Sequence, residues 1–239
     1  MSTSPAPTSQ QPGVLSRLKA GLVVSCQAGP GEPLHGPVFM TAMALTAVRA
    51  GAVAVRLNGI ADISAARAAN LGVPIIGLWK DGDEGVYITP TLKHALAVVA
   101  AGADVVALDA TDRPRPDGRT LAETIAAIHS RTGALVMADV ATAQEGRAAA
   151  EAGADLVGTT LSGYTENTLD RQGVDFDLIE QLASALTIPV FAEGRIGTPA
   201  QAAEALNRGA WAVVVGGAIT RPGAIASGFV ARLAQENPS

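Results

Sequence analysis

The sequence is poor in three residue classes that particular functions require. Its 239 residues include one cysteine, and only 3% are aromatic and 16% charged. A single cysteine excludes a disulfide framework and a cysteine-based zinc site, and it is typical of a reducing compartment such as the cytoplasm. The scarce aromatics and the formal net charge of -5 argue against a nucleic-acid surface, which requires clustered cations and stacking rings.

Long apolar runs are also missing from the chain. No stretch reaches the roughly 18 residues of a membrane-spanning helix. The opening segment MSTSPAPTSQQPG has neither the charged region nor the apolar core of a signal peptide. We therefore predict no membrane association, a disordered tail over residues 1–13 and one catalytic domain over 14–239. Hydrophobic residues make up 48% of the chain, which is enough for a large core.

Four similar segments recur along the chain. Each has a Gly-Ala pair at a helix end, followed by a short apolar run rich in β-branched residues. Four further apolar runs alternate with them, at 22–26, 73–80, 134–139 and 188–194. All eight runs are continuous rather than alternating, which is typical of parallel strands buried on both faces. The recurring glycines are residues 51, 102, 153 and 209.

Alanine-rich stretches of helical character separate the apolar runs. Many end at a glycine and several begin at Pro or Thr, as helices commonly do. Eight strands alternating with eight helices predict an α/β fold, a single (β/α)8 TIM barrel. A doubly wound sheet is the competitor, but it usually has a glycine-rich dinucleotide fingerprint after its first strand, and none is present. The predicted helices cover residues 38–50, 61–71, 91–101, 119–131, 142–152, 175–186, 198–208 and 222–235.

The carboxyl ends of the predicted strands carry most of the polar groups that chemistry would need. Barrel enzymes hold their catalytic residues at these ends, which meet at one mouth. Seven of the eight ends are polar or charged, in a chain with few charges overall. A ring of this kind is difficult to explain by solvation alone. The candidate side chains are Gln27, Arg56, Asn58, Lys80, Asp109, Asp139 and Glu193.

The last two strand ends predict a phosphate site. Gly194 and the pair Gly216-Gly217 leave backbone N–H groups open to a ligand, and the segment GGAITRP leads into a helix. Free N–H groups at a helix start bind anions, and loops after strands 7 and 8 bind phosphate in many barrels. Arg221 would add a charged contact. The alternative is that these glycines only form tight turns.

Several longer segments are distinctive. They are SCQA (25–28), RLNG (56–59), IGLWK (76–80), VYITPT (86–91), LDAT (108–111), MADV (137–140), VGTTLSGYT (157–165), FAEGRI (191–196) and VVVGGAITRP (213–222). Together they resemble the N-acylglucosamine-6-phosphate 2-epimerase family, also called N-acetylmannosamine-6-phosphate 2-epimerases. The resemblance covers nearly the whole chain from about residue 20, and the segment DGDEG (81–85) departs from the family pattern.

The resemblance implies an activity and a set of site residues. The activity is the interconversion of N-acetylmannosamine 6-phosphate and N-acetylglucosamine 6-phosphate, in sialic acid or amino-sugar catabolism. Relatives imply a homodimer and a small-molecule sugar phosphate as the partner. The family's catalytic lysine corresponds to Lys80 and its glutamate to Glu193. Its substrate-binding positions correspond to Gln27, Arg56, Asp139 and Arg221.

The residues themselves fit inversion at C2. That reaction needs acid–base groups on both faces of the carbon and stabilisation of an enolate. Strands 3 and 7 are four apart in an eight-stranded barrel, so Lys80 and Glu193 are expected across the mouth from each other. Burial and nearby Arg56 would lower the pKa of Lys80. Asp139 would orient a hydroxyl or the lysine, and Gln27 and Asn58 would bind sugar hydroxyls or the acetamido group.

Other interpretations stay open at this stage. Lys80 could form a Schiff base in a sugar-phosphate lyase on the same barrel, or could pair with Asp139. The chain could also be a non-catalytic sugar-phosphate sensor. Cys26 is expected to be buried or to line the mouth, and Asp109 could be purely structural. We expect no metal or other cofactor, and we expect surface or packing roles for His94 and His129.

Overall fold

The computed structural model describes residues 13–236, so the predicted tail lies outside the described residues except for Gly13. Eight parallel strands close into a barrel in chain order. This confirms the predicted (β/α)8 fold. The strands are β1 (Leu22–Cys26), β2 (Ala54–Asn58), β3 (Ile75–Leu78), β4 (Val105–Asp109), β5 (Leu135–Asp139), β6 (Leu156–Gly158), β7 (Val190–Glu193) and β8 (Ala212–Val215).

Helices follow the strands on the outside of the barrel. A short 3₁₀ helix covers Glu166–Thr168 in the long loop after β6. All eight predicted helices are present, with ends within three residues of the predicted ones. The helices are α1 (Val14–Leu18), α2 (Pro37–Arg49), α3 (Ile60–Ala68), α4 (Leu92–Ala100), α5 (Leu121–Thr132), α6 (Ala143–Glu151), α7 (Phe176–Ala185), α8 (Pro199–Asn207), α9 (Gly217–Thr220) and α10 (Pro222–Glu236).

Local signals explain where these elements start and stop. The recurring glycines at 51, 102, 153 and 209 have φ of 103°, 112°, 95° and 96°. Only glycine adopts such angles without strain, so each ends a helix and turns the chain into the next strand. Strands β3 and β7 begin later than predicted, after Pro74 and Pro189. Proline has no N–H to donate to a neighbouring strand, which delays the start of pairing.

The pleat of the strands sorts their side chains between two layers. Alternate residues face the barrel interior, where Val23, Ala54, Ile76 and Phe191 form one buried cluster that Leu18 of α1 closes from below. The intervening residues pack against the outer helices. Since side chains alternate along a strand, this register also directs Arg56, Asp139 and Glu193 inward at the upper end of the barrel.

The last helix departs from the expected packing. Helix α10 forms over the predicted residues, but every residue from 222 to 235 is exposed. The side of the barrel that an eighth outer helix would cover is an apolar groove of about 470 Å³ between α8, β8 and the start of β1. Within residues 13–236, no helix is long and apolar enough to cross a membrane.

Candidate active site

A cavity of about 490 Å³ opens at the carboxyl end of the barrel. Side chains and glycines from the ends of β1, β2, β3, β6, β7 and β8 contribute to its wall, as expected of a barrel enzyme. It therefore gathers most of the residues that the sequence singled out. Those lining it are Gln27, Arg56, Lys80, Glu193, Gly194, Gly216, Gly217 and Arg221.

Arg56 is the centre of the buried part of this site. It is 1% exposed, and its Nη2 donates to Asp139 Oδ2 at 2.5 Å while its Nη1 donates to Asp139 Oδ1 at 3.2 Å. Nη1 also donates to Glu193 Oε2. Burial acts to lower the pKa of Arg56, but the two carboxylates more than offset it and the pKa is raised. The guanidinium is therefore a permanent cation shared by two acids.

Glu193 is the second acid bonded to Arg56, and its pKa is raised. Burial raises the pKa of Glu193 to about 7; Arg56 opposes the shift and Asp139 adds to it. The Thr159 hydroxyl fixes the Glu193 backbone, because it donates to the Glu193 carbonyl at 2.8 Å and accepts from its N–H at 3.0 Å. A carboxyl with such a pKa can hold or release a proton near neutral pH.

Lys80 lies just beyond β3, on a turn that folds back on itself. It pairs with Ile88 in an antiparallel bridge, and its backbone N–H donates to Asn58 Oδ1 at 2.9 Å. Its side chain stays open to solvent through the cavity. The pKa of Lys80 is lowered, first because the surrounding protein removes water from its ammonium group and second because of the positive charge of Arg56. No ion pair joins Lys80 to Asp139 among the described side chains.

The opposite wall of the cavity is open and rich in glycine. Gly194 has φ of 120°, and Gly216-Gly217 begin the short helix α9. Arg221 is half-exposed and donates from Nη2 to Glu32 Oε1 at 3.0 Å. Gln27 also faces the cavity, and its Nε2 donates to Ser25 Oγ at 2.9 Å. This wall leaves space for a ligand group.

Two predicted residues have contacts other than the expected ones. Asn58 accepts the Lys80 backbone N–H, and the contact with the sugar that the sequence predicted stays a prediction. Asp109 does not line the cavity. It accepts from the Thr111 backbone and hydroxyl at 3.0 and 2.6 Å and from Arg113 at 2.7 Å. Those bonds satisfy its buried carboxylate and make it part of the loop structure.

The remaining reactive side chains lie away from the cavity. Cys26 is buried in the layer between strands and helices, and this burial raises the pKa of its thiol to about 12. His94 bonds to Thr91 and Asp81, and His129 bonds to Asp155. Across residues 13–236 no three His, Cys, Asp or Glu side chains come close enough together to hold a metal ion.

Some cavity residues were not selected from the sequence. Thr160 donates to Asp139 Oδ1 at 2.6 Å. Arg195 donates to the carbonyls of Ser162 and Gly173 at 2.7 and 2.5 Å and stacks over the Tyr164 ring at 5.3 Å. The inward register of β6 would have indicated Thr160, two residues beyond the inward position 158. No sequence signal marked the contact between Arg195 and Tyr164.

Comparison with known proteins identifies the family. A family model described as "Putative N-acetylmannosamine-6-phosphate epimerase" matches residues 40–235. The chain belongs to this family. The epimerase-family protein of Cutibacterium acnes, named "Putative N-acetylmannosamine-6-phosphate 2-epimerase", is 53% identical over 218 residues, covering 90% of this chain and 95% of the relative. A relative of the same name from Caldanaerobacter subterraneus subsp. tengcongensis is 49% identical, covering 92% of this chain and 94% of the relative.

Solved structures agree with the family assignment. The N-acetylmannosamine-6-phosphate 2-epimerase from Clostridium perfringens superimposes with a TM-score of 0.88 and 41% identity, covering 96% of this chain and all of that one. A thiamine phosphate pyrophosphorylase from Pyrococcus furiosus, at a TM-score of 0.59 and 19% identity, shares the fold alone. The epimerase family therefore accounts for the whole barrel of this chain.

Proposed function

We propose that this chain is an isomerase that interconverts N-acetylmannosamine 6-phosphate and N-acetylglucosamine 6-phosphate by inverting C2. One observation carries the chemistry: a lysine whose pKa is lowered and a glutamate whose pKa is raised face the same cavity on either side of a buried arginine. Relatives named for this reaction cover at least nine-tenths of the chain. The two shifted side chains are groups that a merely structural barrel would not need, and the similarity to the relatives supports the same reaction.

The chemistry begins once the sugar ring is open. The C2 hydrogen then lies next to the C1 aldehyde, so its removal gives an enolate whose charge spreads onto the C1 oxygen while C2 keeps its acetamido group. Lys80 and Glu193 are the two proton-exchanging groups, one removing the C2 proton and the other returning a proton from the opposite face. The fixed positive charge of Arg56 stabilises the negative charge that develops between them.

The open wall supplies the phosphate end of the site. Backbone N–H groups at Gly194, Gly216 and Gly217 and the guanidinium of Arg221 surround space that no side chain fills. A dianionic phosphate there would gain charge-assisted hydrogen bonds. Gln27 lies between this wall and Arg56 and is available to the sugar. The phosphorylated substrate and the single buried cysteine both support a cytoplasmic enzyme of amino-sugar catabolism.

The test is turnover of N-acetylmannosamine 6-phosphate in D₂O, followed by proton NMR. We expect N-acetylglucosamine 6-phosphate with deuterium at C2, while unreacted substrate keeps its C2 proton until the reverse reaction sets in. Deuterium appearing equally early in recovered substrate would contradict two groups on opposite faces. An unchanged sugar whose signals broaden on binding would instead favour the sensor.

Substitution separates chemistry from binding. Lys80→Ala and Glu193→Gln are each expected to abolish turnover while the phosphate ester still binds, because neither residue belongs to the phosphate wall. Substantial turnover in either variant would overturn the two-group scheme. Borohydride added with substrate distinguishes the lyase alternative, since only a Schiff base on Lys80 would be trapped as a stable adduct.

We also propose that the enzyme is a homodimer in which each copy covers the other with α10. The helix exposes Ile225, Phe229 and Val230, which are 38%, 70% and 67% exposed. The uncovered groove beside β8 is lined almost entirely by small or apolar residues. An apolar helix face and an apolar groove, both uncovered on one chain, are complementary when two copies exchange helices. Burying each large side chain would contribute about 1.5–3 kcal/mol.

Light scattering on the purified chain tests the dimer. We expect twice the chain mass of 24.1 kDa, and a monomer or a much weaker dimer for Phe229→Asp. Leu169→Asp is the matched control, because Leu169 is 67% exposed on a loop far along the chain from α10. A wild-type monomer, or an unchanged dimer in Phe229→Asp, would overturn the helix exchange.

A further inference from the structure

Two carboxylates share one buried guanidinium, yet their surroundings differ. Asp139 is fully buried and accepts two hydrogen bonds from Arg56. Glu193 is 14% exposed at its side chain and accepts from Arg56 through a single oxygen. One cation cannot fully compensate two buried anions, so one of the two acids must hold its proton more readily than the other.

The hydroxyl of Thr160 stands between these two acids. Its Oγ1 donates to Asp139 Oδ1 at 2.6 Å and accepts from Arg56 Nη1 at 3.4 Å. A weaker hydrogen-bonding contribution from the same hydroxyl lowers the pKa of Glu193, so loss of the hydroxyl acts on both acids. A hydroxyl has a single proton to donate, and the 2.6 Å distance makes Asp139 Oδ1 its close acceptor.

The backbone beneath Thr160 preserves this contact. A Cβ on Gly158 would lie 3.0 Å from Asp139 Oδ1 and 3.0 Å from Thr160 Oγ1, and 2.4 Å from Met137 Cε. Any larger residue at 158 would therefore push against both ends of the Thr160–Asp139 hydrogen bond. The glycine leaves the room that this bond needs.

We propose that Thr160 is a positioning residue whose hydroxyl fixes Asp139 as the anionic anchor of Arg56 and so leaves Glu193 as the acid that exchanges a proton. This inference rests on the proposed epimerisation for its catalytic meaning. Asp139 accepts three hydrogen bonds, two from Arg56 and one from Thr160. Glu193, with fewer, becomes the group that titrates.

Removal of the hydroxyl has a defined direction. In Thr160→Val, Asp139 loses a donor and attracts Arg56 more strongly, which weakens the hold of Arg56 on Glu193. The pKa of Glu193 then rises further. This direction is the same whether Glu193 acts as the acid or as the base in the reaction. The other titratable or charged groups facing this cavity are Arg56, Lys80, Tyr87, Tyr164, Arg195 and Arg221, with Asp139 beneath it.

The experiment measures both kinetics and the free enzyme. In Thr160→Val we expect kcat near pH 7 to fall roughly tenfold, KM to change little, and the limb of the pH profile due to Glu193 to move up by about one unit. Carbon-13 NMR titration of the side-chain carboxyls, with Glu193 assigned from Glu193→Gln, should show the same displacement without substrate. Thr160→Ser keeps the hydroxyl and should restore the wild-type limb.

Thr124→Val is the matched control. Thr124 is fully buried in α5 and its hydroxyl donates to the Thr120 carbonyl at 2.9 Å, away from the cavity. It should lower stability without moving the limb. An unmoved Glu193 titration in Thr160→Val, or an equal displacement in Thr160→Ser, would overturn the proposal. If the wild type failed to turn over the sugar phosphate, the proposed function would fail, while the carboxyl titration would still decide the role of Thr160.

Discussion

The two walls of the cavity are built on opposite plans. The wall formed by β2, β5 and β7 is buried, and its charges are already paired, with Arg56 bonded to Asp139 and Glu193. The wall formed by the ends of β7 and β8 is glycine-rich, and its cation Arg221 is half-exposed. The first holds its charges in place before any ligand arrives, as electrostatic preorganisation requires. The second leaves its donors to be satisfied by the ligand.

The largest expected effect is on the buried wall. Arg56→Ala should destabilise the fold by about 3–5 kcal/mol, because it leaves two carboxylates without their cation. Arg67→Ala is the matched control, since Arg67 forms a surface pair with Asp104 at 2.5 Å but is 43% exposed; its loss should cost less than about 1 kcal/mol. Urea unfolding measures both variants. Equal losses of unfolding free energy in Arg56→Ala and Arg67→Ala would show that the buried wall depends on its cation no more than the surface pair does.

The buried wall should also make the stability of the fold depend on pH. The pKa of Glu193 is raised in the folded chain from 4.5 to about 7, so the folded state binds this proton more tightly than the unfolded state. The stability from this group is present at low pH and is lost as pH rises through that window, by about 3 kcal/mol in all. Glu193→Gln has no such proton. The unfolding free energy of Glu193→Gln should therefore rise relative to that of the wild type between pH 4.5 and 8. If the two unfolding free energies changed with pH in the same way, the raised pKa of Glu193 would be contradicted.

The open wall should respond in affinity rather than stability. Arg221→Ala is expected to weaken binding of the phosphate ester by about 1.5–3 kcal/mol, the range for a hydrogen bond to a charged group. Calorimetry with phosphorylated and unphosphorylated N-acetylmannosamine measures it. Glu32→Gln, which removes the charge facing Arg221, should bind the ester at least as tightly as wild type. Equal weakening toward both sugars in Arg221→Ala would remove Arg221 from the phosphate site.

The sequence predicted which residues face the cavity better than it predicted how those residues pair with one another. Counting two residues at a time along each strand is enough to direct Arg56, Asp139 and Glu193 inward, since the pleat alternates side chains. Which acid binds Arg56 through two oxygens depends on distances of a few tenths of an ångström between different strands, and no spacing in the chain encodes those. The exposure of α10 was also beyond the pattern, because an apolar helix face indicates burial but does not indicate which surface covers it.

The smallest expected effect concerns the link between the buried wall and Lys80. Asn58 Oδ1 accepts the Lys80 N–H at 2.9 Å, so Asn58→Ala should let the turn that carries Lys80 drift. We expect kcat to fall by a factor of about five, equivalent to about 1 kcal/mol for one neutral hydrogen bond, with the affinity for the phosphate ester unchanged. Asn58→Asp retains the acceptor oxygen and should recover the Lys80 position, though with an added charge. A rise in the dissociation constant of the phosphate ester at constant kcat would instead support the sugar-binding role that the sequence predicted for Asn58. The substrate would then contact Asn58 in addition to the two walls.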